Sequence, residues 1–113
     1  MAIYSNLSVD QGSTFGAEID VTDSSGDPLD LTGYTVTGQL RKTYTSTTST
    51  SFTSSVFSAS GGIVKIALNA TTTDALKAGR YVYDVEIKKT STSEITRIIE
   101  GQLEVRPGVT RAS

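Results

Sequence analysis

The sequence predicts an all-β protein, an antiparallel β-sandwich of seven or eight short strands with one short helical turn. Two observations favour strands: apolar residues recur with a period of two, and turn-forming residues separate these segments at intervals of about eight to twelve residues. A third disfavours a parallel sheet: no helical pattern alternates with the strands. Roughly thirty of the 113 residues are Ser or Thr, a bias typical of strands and turns.

The clearest predicted strand lies at 81–88, in the part of the chain around which the other elements are arranged. Apolar and polar residues alternate strictly over this stretch, which indicates a strand with one buried face. The residues expected on the buried face are Tyr81, Tyr83, Val85 and Ile87.

A short helical turn is expected immediately before that strand, at 69–79. Thr71 and Asp74 have the spacing of a capping turn, and Gly79 is suited to end the turn in a left-handed conformation. Leu76 would then be buried beneath the strand.

The order of residues through this turn is similar to the segment that precedes the sixth strand of immunoglobulin-like sandwiches. In those domains a corner tyrosine bonds its hydroxyl to nearby backbone. Tyr81 would be the corner residue, and Tyr83 would occupy the core position that antibody domains give to cysteine. The alternative is that a strand rich in tyrosine simply alternates in this way. We therefore predict a structural corner formed by Leu76, Gly79, Tyr81 and Tyr83.

The N-terminal part of the chain predicts two strands and an Asp-rich loop. The stretch 3–9 is short and polar, as edge strands often are, and 10–12 reads as a turn. The alternation at 15–21 predicts a half-buried strand, and 23–28 is dense in turn-forming residues. The inward residues of the second strand are expected to be Phe15, Ala17, Ile19 and Val21.

The middle of the chain predicts three further strands. At 34–41 the inward set includes Gly38, which leaves a gap suited to a bulge or to an aromatic ring. The Ser/Thr-rich stretch 43–51 is either a hairpin tip or an extended strand. A weak strand at 52–57 is followed by a Gly-Gly turn and by a strand whose inward residues are Val64, Ile66 and Leu68.

The last predicted strand is 94–105. Gly101 marks the expected bulge, whereas Ile98 is out of phase and lies either at the bulge or on an exposed patch. Residues 1–106 are predicted to form the immunoglobulin-like domain and 107–113 a C-terminal tail.

Composition and charge exclude several functions. A net charge of −2 and a pI near 5.0 provide no basic surface, so no nucleic-acid partner is expected. Without Cys or His the chain lacks the commonest general base and the commonest transition-metal ligands, and no cofactor is predicted. No segment approaches the roughly 18 apolar residues of a membrane span, and the first ten residues do not resemble a signal peptide.

No catalytic or metal-binding residue is predicted. Hydroxyl groups are plentiful, but no His is present to activate one, and carboxylate pairs such as Asp84 and Glu86 lie on the outward face of a strand. Four aspartates around one loop suggest either calcium ligands or turn residues, and their spacing favours turns. They are Asp20, Asp23, Asp27 and Asp30.

Several segments together resemble the immunoglobulin-like N-terminal module of phage baseplate upper proteins. The likeness rests on Asp10-Gln11-Gly12-x-x-Phe15, on Gly26-x-Pro28-Leu29-Asp30-Leu31-Thr32-Gly33-Tyr34 and on Leu40-Arg41. It continues through Leu68-x-x-x-x-Thr73-x-x-Leu76-x-Ala78-Gly79-Arg80-Tyr81-x-Tyr83-Asp84-Val85 and Thr96-Arg97-x-x-x-Gly101-x-x-x-Val105. It extends from Ser8 to Arg111 and consists largely of turn and corner residues.

The resemblance implies a non-enzymatic structural virion protein of a tailed phage, made in the host cytoplasm. Its partners would be other phage structural proteins. Several symmetric copies of the protein would be present in the tail, the baseplate or the fibre-attachment apparatus. The long C-terminal regions of baseplate upper proteins are not matched, so their trimerisation and receptor binding are not implied. A capsid decoration protein is the alternative, and a carbohydrate-binding module with exposed aromatic residues is a third. The candidate interaction residues are Ile3, Tyr4, Tyr44, Phe57, Val109 and Arg111.

Overall fold

The computed structural model describes residues 3–23 and 25–108, which form nine strands and one short helix in two packed sheets. The first sheet has the order β1-β9-β8-β4-β5 with β2 also beside β9, and the second has the order β3-β7-β6. The predicted all-β sandwich is confirmed. The elements are β1 (Ile3–Tyr4), β2 (Leu7–Asp10), β3 (Phe15–Asp20), β4 (Tyr34–Arg41), β5 (Thr50–Ser51), β6 (Thr53–Ser58), β7 (Ile63–Leu68), α1 (Ala70–Ala75), β8 (Gly79–Lys89) and β9 (Glu94–Arg106).

The N-terminal strands depart from the expected antiparallel pairing. Both β1 and β2 run parallel to β9, with Ile3 opposite Ile99 and Leu7 opposite Leu103. The other strand pairs are antiparallel. Parallel neighbours need a long connection, and here almost the whole chain lies between them, so local sequence patterns could not reveal the pairing. The predicted single strand at 3–9 is also interrupted between Tyr4 and Leu7.

The centre of the first sheet is β8, which pairs with β4 on one side and β9 on the other. Its predicted alternation is confirmed, because Tyr83, Val85 and Ile87 are buried and Lys88 is exposed. The inner faces of the two sheets enclose one apolar core, as expected of a sandwich. Its buried members are Val9, Ile19, Val21, Leu31, Leu40, Phe52, Val64, Ile66, Leu68, Leu76, Tyr83, Val85, Ile87, Ile98, Ile99, Leu103 and Val105.

Gly38 provides the seat for an aromatic ring, the second of the two alternatives for this position. A side chain on Gly38 would place its Cβ 3.0 Å from Cδ2 of Phe52 and 3.1 Å from Cγ2 of Val85. Phe52 lies where the chain leaves β5 for the second sheet, and its amide donates to Gly38 O at 2.9 Å. The missing side chain therefore lets Phe52 enter the core at the point where the chain changes sheets.

The bulge in β9 lies at Ile98 and not at Gly101. Val85 pairs with Ile99 and Glu86 with Arg97, so Ile98 is the extra residue, and its side chain is buried. The out-of-phase position of Ile98 in the apolar pattern therefore indicates the bulge correctly. Gly101 pairs regularly with Tyr83, and its lack of a side chain has another cause, described below.

The helical turn before β8 begins and ends differently from the prediction. Its N-cap is Asn69, whose side chain accepts a hydrogen bond of 2.8 Å from the Thr72 amide, so Thr71 is not the capping residue. Asn is as good a cap as Ser or Thr. The helix ends at Ala75 with Leu76 as an extended C-cap, so Gly79 does not terminate it. Gly79 has a φ of 138° at the first position of β8.

Candidate interaction surfaces

The corner between α1 and β8 is held by a tyrosine hydroxyl. Tyr81 Oη donates to Lys77 O at 2.8 Å, which is the backbone bond expected of a corner tyrosine. Leu76 is buried below it with 9% of its surface exposed, and its carbonyl accepts a 2.7 Å bond from Gln11 Nε2. The corner is thus closed by the Tyr81 hydroxyl, and Gln11, from the turn between β2 and β3, is a further support.

Thr73 is a second support: it is among the residues that carry the resemblance, but the sequence does not predict its burial. It is fully buried, and its Oγ1 lies 2.8 Å from Ser13 O and 3.1 Å from Ala70 O. A Thr among three consecutive threonines gives no sequence signal of burial. The bonds to Ser13 and from Gln11 bridge about sixty positions of the chain, and only the fold brings these groups together.

Tyr83 fastens the N-terminal segment to the first sheet. Its ring is buried in the core, and its hydroxyl donates to Ser5 O at 2.7 Å. Burial raises the pKa of Tyr83 to about 12. The backbone of Ser5 lies directly against Gly101, where a side chain would overlap the Ser5 carbonyl. Gly101 thus provides the space into which the N-terminal segment bends between β1 and β2.

Four of the predicted interaction residues are large apolar side chains exposed to solvent. The exposed fractions are 55% for Ile3, 63% for Tyr4, 75% for Tyr44 and 58% for Phe57. Ile95, on β9, is also exposed, at 59%, but it is not among the predicted interaction residues. The remaining two predicted residues, Val109 and Arg111, lie outside the described residues.

The exposed aromatic residues do not form a single platform. Tyr4 lies on β1 at one edge of the first sheet, and Tyr44 lies in the loop between β4 and β5 at the opposite edge. Phe57 lies on β6 in the second sheet, where Lys65 Nζ is 5.9 Å from its ring centroid. The strand order puts two strands between β1 and β4, a separation of about 14 Å at ordinary strand spacing.

Each sheet has open edges among the described residues. β3 and β6 are the edge strands of the second sheet, and β5 is an edge strand of the first. On the other side of the first sheet, β1 and β2 follow one another along β9. Edge strands present backbone donors and acceptors to which another chain can add.

The Asp-rich loop shows turn chemistry. Asp23 Oδ1 accepts bonds from the Ser25 amide at 2.9 Å and the Asp27 amide at 3.1 Å. Asp30 Oδ1 accepts from the hydroxyl and amide of Thr32 at 2.7 Å and 3.0 Å, and these bonds lower the pKa of Asp30. Aspartates that bond local backbone amides stabilise turns. Across residues 3–23 and 25–108, no three acidic side chains come together as metal ligands.

The outward carboxylates of the first sheet take part in surface ion pairs. Arg97 lies 3.3 Å from Asp84 and 3.3 Å from Glu100, and the three side chains are between one third and one half exposed. Such pairs contribute little to stability, about 0–1 kcal/mol. No helix in the described part of the chain is long and apolar enough to cross a membrane.

Comparisons with known proteins identify structural likenesses only. No protein-family profile matches the chain, and no curated protein matches it. Among solved structures, Listeria monocytogenes InlP is similar with 15% identity and a TM-score of 0.49, over 93% of this chain and 28% of that one. A family 123 glycoside hydrolase from Clostridium perfringens is similar with 13% identity and a TM-score of 0.43, over 96% of this chain and 24% of that one. The chain spans about a quarter of the length of either protein, and likeness at this level says nothing about function.

Proposed function

We propose that this protein is a non-enzymatic structural component of a tailed-phage virion, an immunoglobulin-like module that docks on other virion proteins. Its place would be the tail, the baseplate or the fibre-attachment apparatus. The proposal joins the resemblance of the turn and corner residues to baseplate upper proteins with the surface of the sandwich, which offers edges and exposed apolar side chains.

The observation that carries a docking role is the free edge at β1. Ile3 and Tyr4 form a two-residue strand that pairs with β9 on one side, and both side chains are more than half exposed. A partner strand could add beside this backbone and cover the two side chains. Adhesion of this kind uses main-chain hydrogen bonds for affinity and side-chain contacts for specificity.

The residue types in the chain support a binding role rather than catalysis. The whole sequence contains no His and no Cys, so a Ser or Thr nucleophile would lack its usual base. The outward carboxylates near the middle of the first sheet contact Arg97 and are partly exposed, which is typical of a solvated face.

A capsid decoration protein would use the same surfaces, and fractionation of virions distinguishes the two locations. Purified particles would be separated into heads and tails, and the protein quantified in each by mass spectrometry. We expect it in the tail fraction in a copy number set by threefold or sixfold symmetry. Enrichment in heads would support the decoration role and overturn the tail assignment, and absence from both would overturn the virion proposal.

The docking edge can be tested on the same particles. The double variant Ile3→Ser/Tyr4→Ser should lose incorporation into virions while it retains its melting temperature, because both side chains are already exposed. Ile95→Ser is the matched control, since Ile95 is equally exposed but lies outside the β1 pairing. Equal incorporation of the two variants would show that the β1 edge is not the docking surface.

A further inference from the structure

One hollow on the described surface lies at the tyrosine corner. It has a volume of about 450 Å³ and opens where β4 runs into the loop before β5. Its walls combine apolar groups, hydroxyls and three basic side chains, and no carboxylate is among them. The residues that matter here are Arg41, Lys42, Thr50, Lys77, Ala78 and Tyr81, and we call this site the lysine hollow.

The ammonium group of Lys42 lies next to Tyr81 and Gly79. Its Nζ lies 4.9 Å from the centroid of the Tyr81 ring, within the range of a cation–π contact. Gly79 leaves the space that this ammonium group occupies, because a Cβ at position 79 would lie 2.8 Å from Nζ. The positive charge of Lys42 therefore lies at the Tyr81 ring, in the wall of the hollow.

Lys77 is positioned through its backbone. The carbonyl of Lys77 accepts the hydroxyl bond of Tyr81, so the tyrosine that organises the corner also fixes the backbone of the second lysine, which lines the hollow. In the described part of the chain neither Lys42 nor Lys77 forms an ion pair. Two lysines without an ion-pair partner among the described residues thus line one hollow of a protein whose net charge is −2.

Arg41 has a different task in the same wall. Its guanidinium donates to Ser46 O at 2.8 Å and to Gln39 Oε1 at 3.0 Å. The bond to Ser46 connects the Ser/Thr-rich loop between β4 and β5 to the sheet. This loop supplies the hydroxyl groups in the wall of the hollow. Arg41 therefore shapes the site, and the two lysines provide the charge available to a ligand.

We propose that the lysine hollow binds an acidic, extended peptide segment of a partner protein. The carboxylates of the segment would meet Lys42 and Lys77, and its backbone would run beside the open edge of β5 at Thr50. Charge complementarity and the adjacent free strand favour a peptide over a small anion, because the edge provides main-chain donors and acceptors. This proposal deepens the proposed docking function by assigning a second surface and the chemistry of its partner.

The test uses the full chain and a fluorescent hexapeptide that alternates Glu and Thr, with the Gln/Thr peptide as the neutral probe. We expect saturable binding of the Glu peptide that weakens as salt is raised, and at least ~10-fold weaker binding of the neutral probe. The double variant Lys42→Gln/Lys77→Gln should lose about 10-fold in affinity. Lys88→Gln/Lys89→Gln, which changes two exposed lysines of β8 by the same charge, should change affinity less than about 2-fold.

Several outcomes would overturn the site. Equal binding of the Glu and Gln peptides would show that charge plays no part, and equal losses in the two double variants would show that the attraction is spread over the whole surface. Absence of binding to the wild-type chain would also reject it. Backbone amide NMR shifts that cluster at Thr50, Lys77 and Tyr81 would support the location, and shifts elsewhere would contradict it.

The test separates this proposal from the virion assignment. Binding of the acidic peptide by a protein that is absent from virions would overturn the proposed function and leave the site intact. Presence in virions without peptide binding would overturn the lysine hollow alone.

Discussion

The hydroxyl of Tyr83 donates a 2.7 Å hydrogen bond to the carbonyl of Ser5, 78 positions earlier in the chain. Tyr83 lies in the buried face of β8, and Ser5 lies in the bend between the two N-terminal strands. The bend fits against Gly101, the residue opposite Tyr83 on β9. The core thus holds the strand segment that carries the proposed docking edge, which couples the stability of the sandwich to the position of Ile3 and Tyr4.

The raised pKa of Tyr83 predicts a loss of stability at high pH. In the unfolded chain the phenol titrates near 10, whereas burial raises the folded pKa to about 12. Between these values the unfolded state has released its proton and the folded state has not, so the free energy of unfolding falls as pH rises. The stabilisation provided by neutral Tyr83 is complete below about pH 10 and decreases by on the order of 1–2 kcal/mol by pH 12, because the hydroxyl is only partly buried and solvent screens part of the effect. Urea unfolding at a series of pH values measures it.

Tyr83→Phe is the control for this pH dependence, because it removes the phenol hydroxyl and retains the ring. The variant should show a shallower decline above pH 10. At neutral pH it should be about 1 kcal/mol less stable, since the Ser5 carbonyl loses its donor. Parallel pH curves for the two proteins would contradict a raised pKa at Tyr83.

Gly101→Ala should displace the N-terminal segment. The added Cβ would overlap the Ser5 carbonyl, and because this neighbour is backbone it cannot rotate away. We expect a destabilisation of about 2–4 kcal/mol, or the release of β1 and β2 from β9 with faster amide exchange there. Gly16→Ala is the matched control, since a Cβ at Gly16 meets nothing within 4 Å, and it should be neutral or slightly stabilising. Equal stability of the two variants would contradict the account of Gly101.

These relationships explain which parts of the fold the sequence could predict. Strand alternation gave the buried face of β8 and the inward residues of β3 and β7, because a period of two is a local property. The parallel pairing of β1 and β2 with β9 depends on contacts almost a full chain length apart, and no local pattern encodes it. Gly101 is predicted to form a bulge, but a glycine is equally suited to a close approach of two backbone segments, and the sequence cannot distinguish the two.

Gly38→Ala tests the seat of Phe52. The new Cβ would lie 3.0 Å from Phe52 Cδ2 and 3.3 Å from the carbonyl oxygen of Asp84, which is tighter than normal packing. We expect a destabilisation of about 1–3 kcal/mol because the core is already filled. In the background of Phe52→Leu the same change should cost less, since the ring is gone. A double-mutant cycle in urea measures the coupling, and additive effects would show that Phe52 does not limit the space at Gly38.

The candidate sites show the same difference between features encoded in one segment and features that depend on contacts distant in sequence. The order of residues from Leu76 to Tyr83 predicted the corner, because that segment is contiguous in sequence. The lysine hollow was not predicted, since Lys42 and Lys77 are 35 positions apart in the sequence. They line the same hollow only because β4 pairs with β8. Composition predicts the net charge, but it cannot show that three of the ten cationic residues line one hollow.

Tyr81→Phe measures the contribution of the corner bond. The substitution removes the 2.8 Å bond to Lys77 O and retains the ring, so the apolar contacts of the corner remain. We expect a loss of about 0.5–1.5 kcal/mol, which corresponds to a decrease in Tm of a few degrees. Tyr44→Phe removes the same hydroxyl from a side chain that is 75% exposed in a loop, and its Tm should not change measurably. If both variants melted at the wild-type temperature, the hydroxyl bond of Tyr81 would add nothing to the stability of the corner, and packing of Leu76 beneath the strand would be its main support.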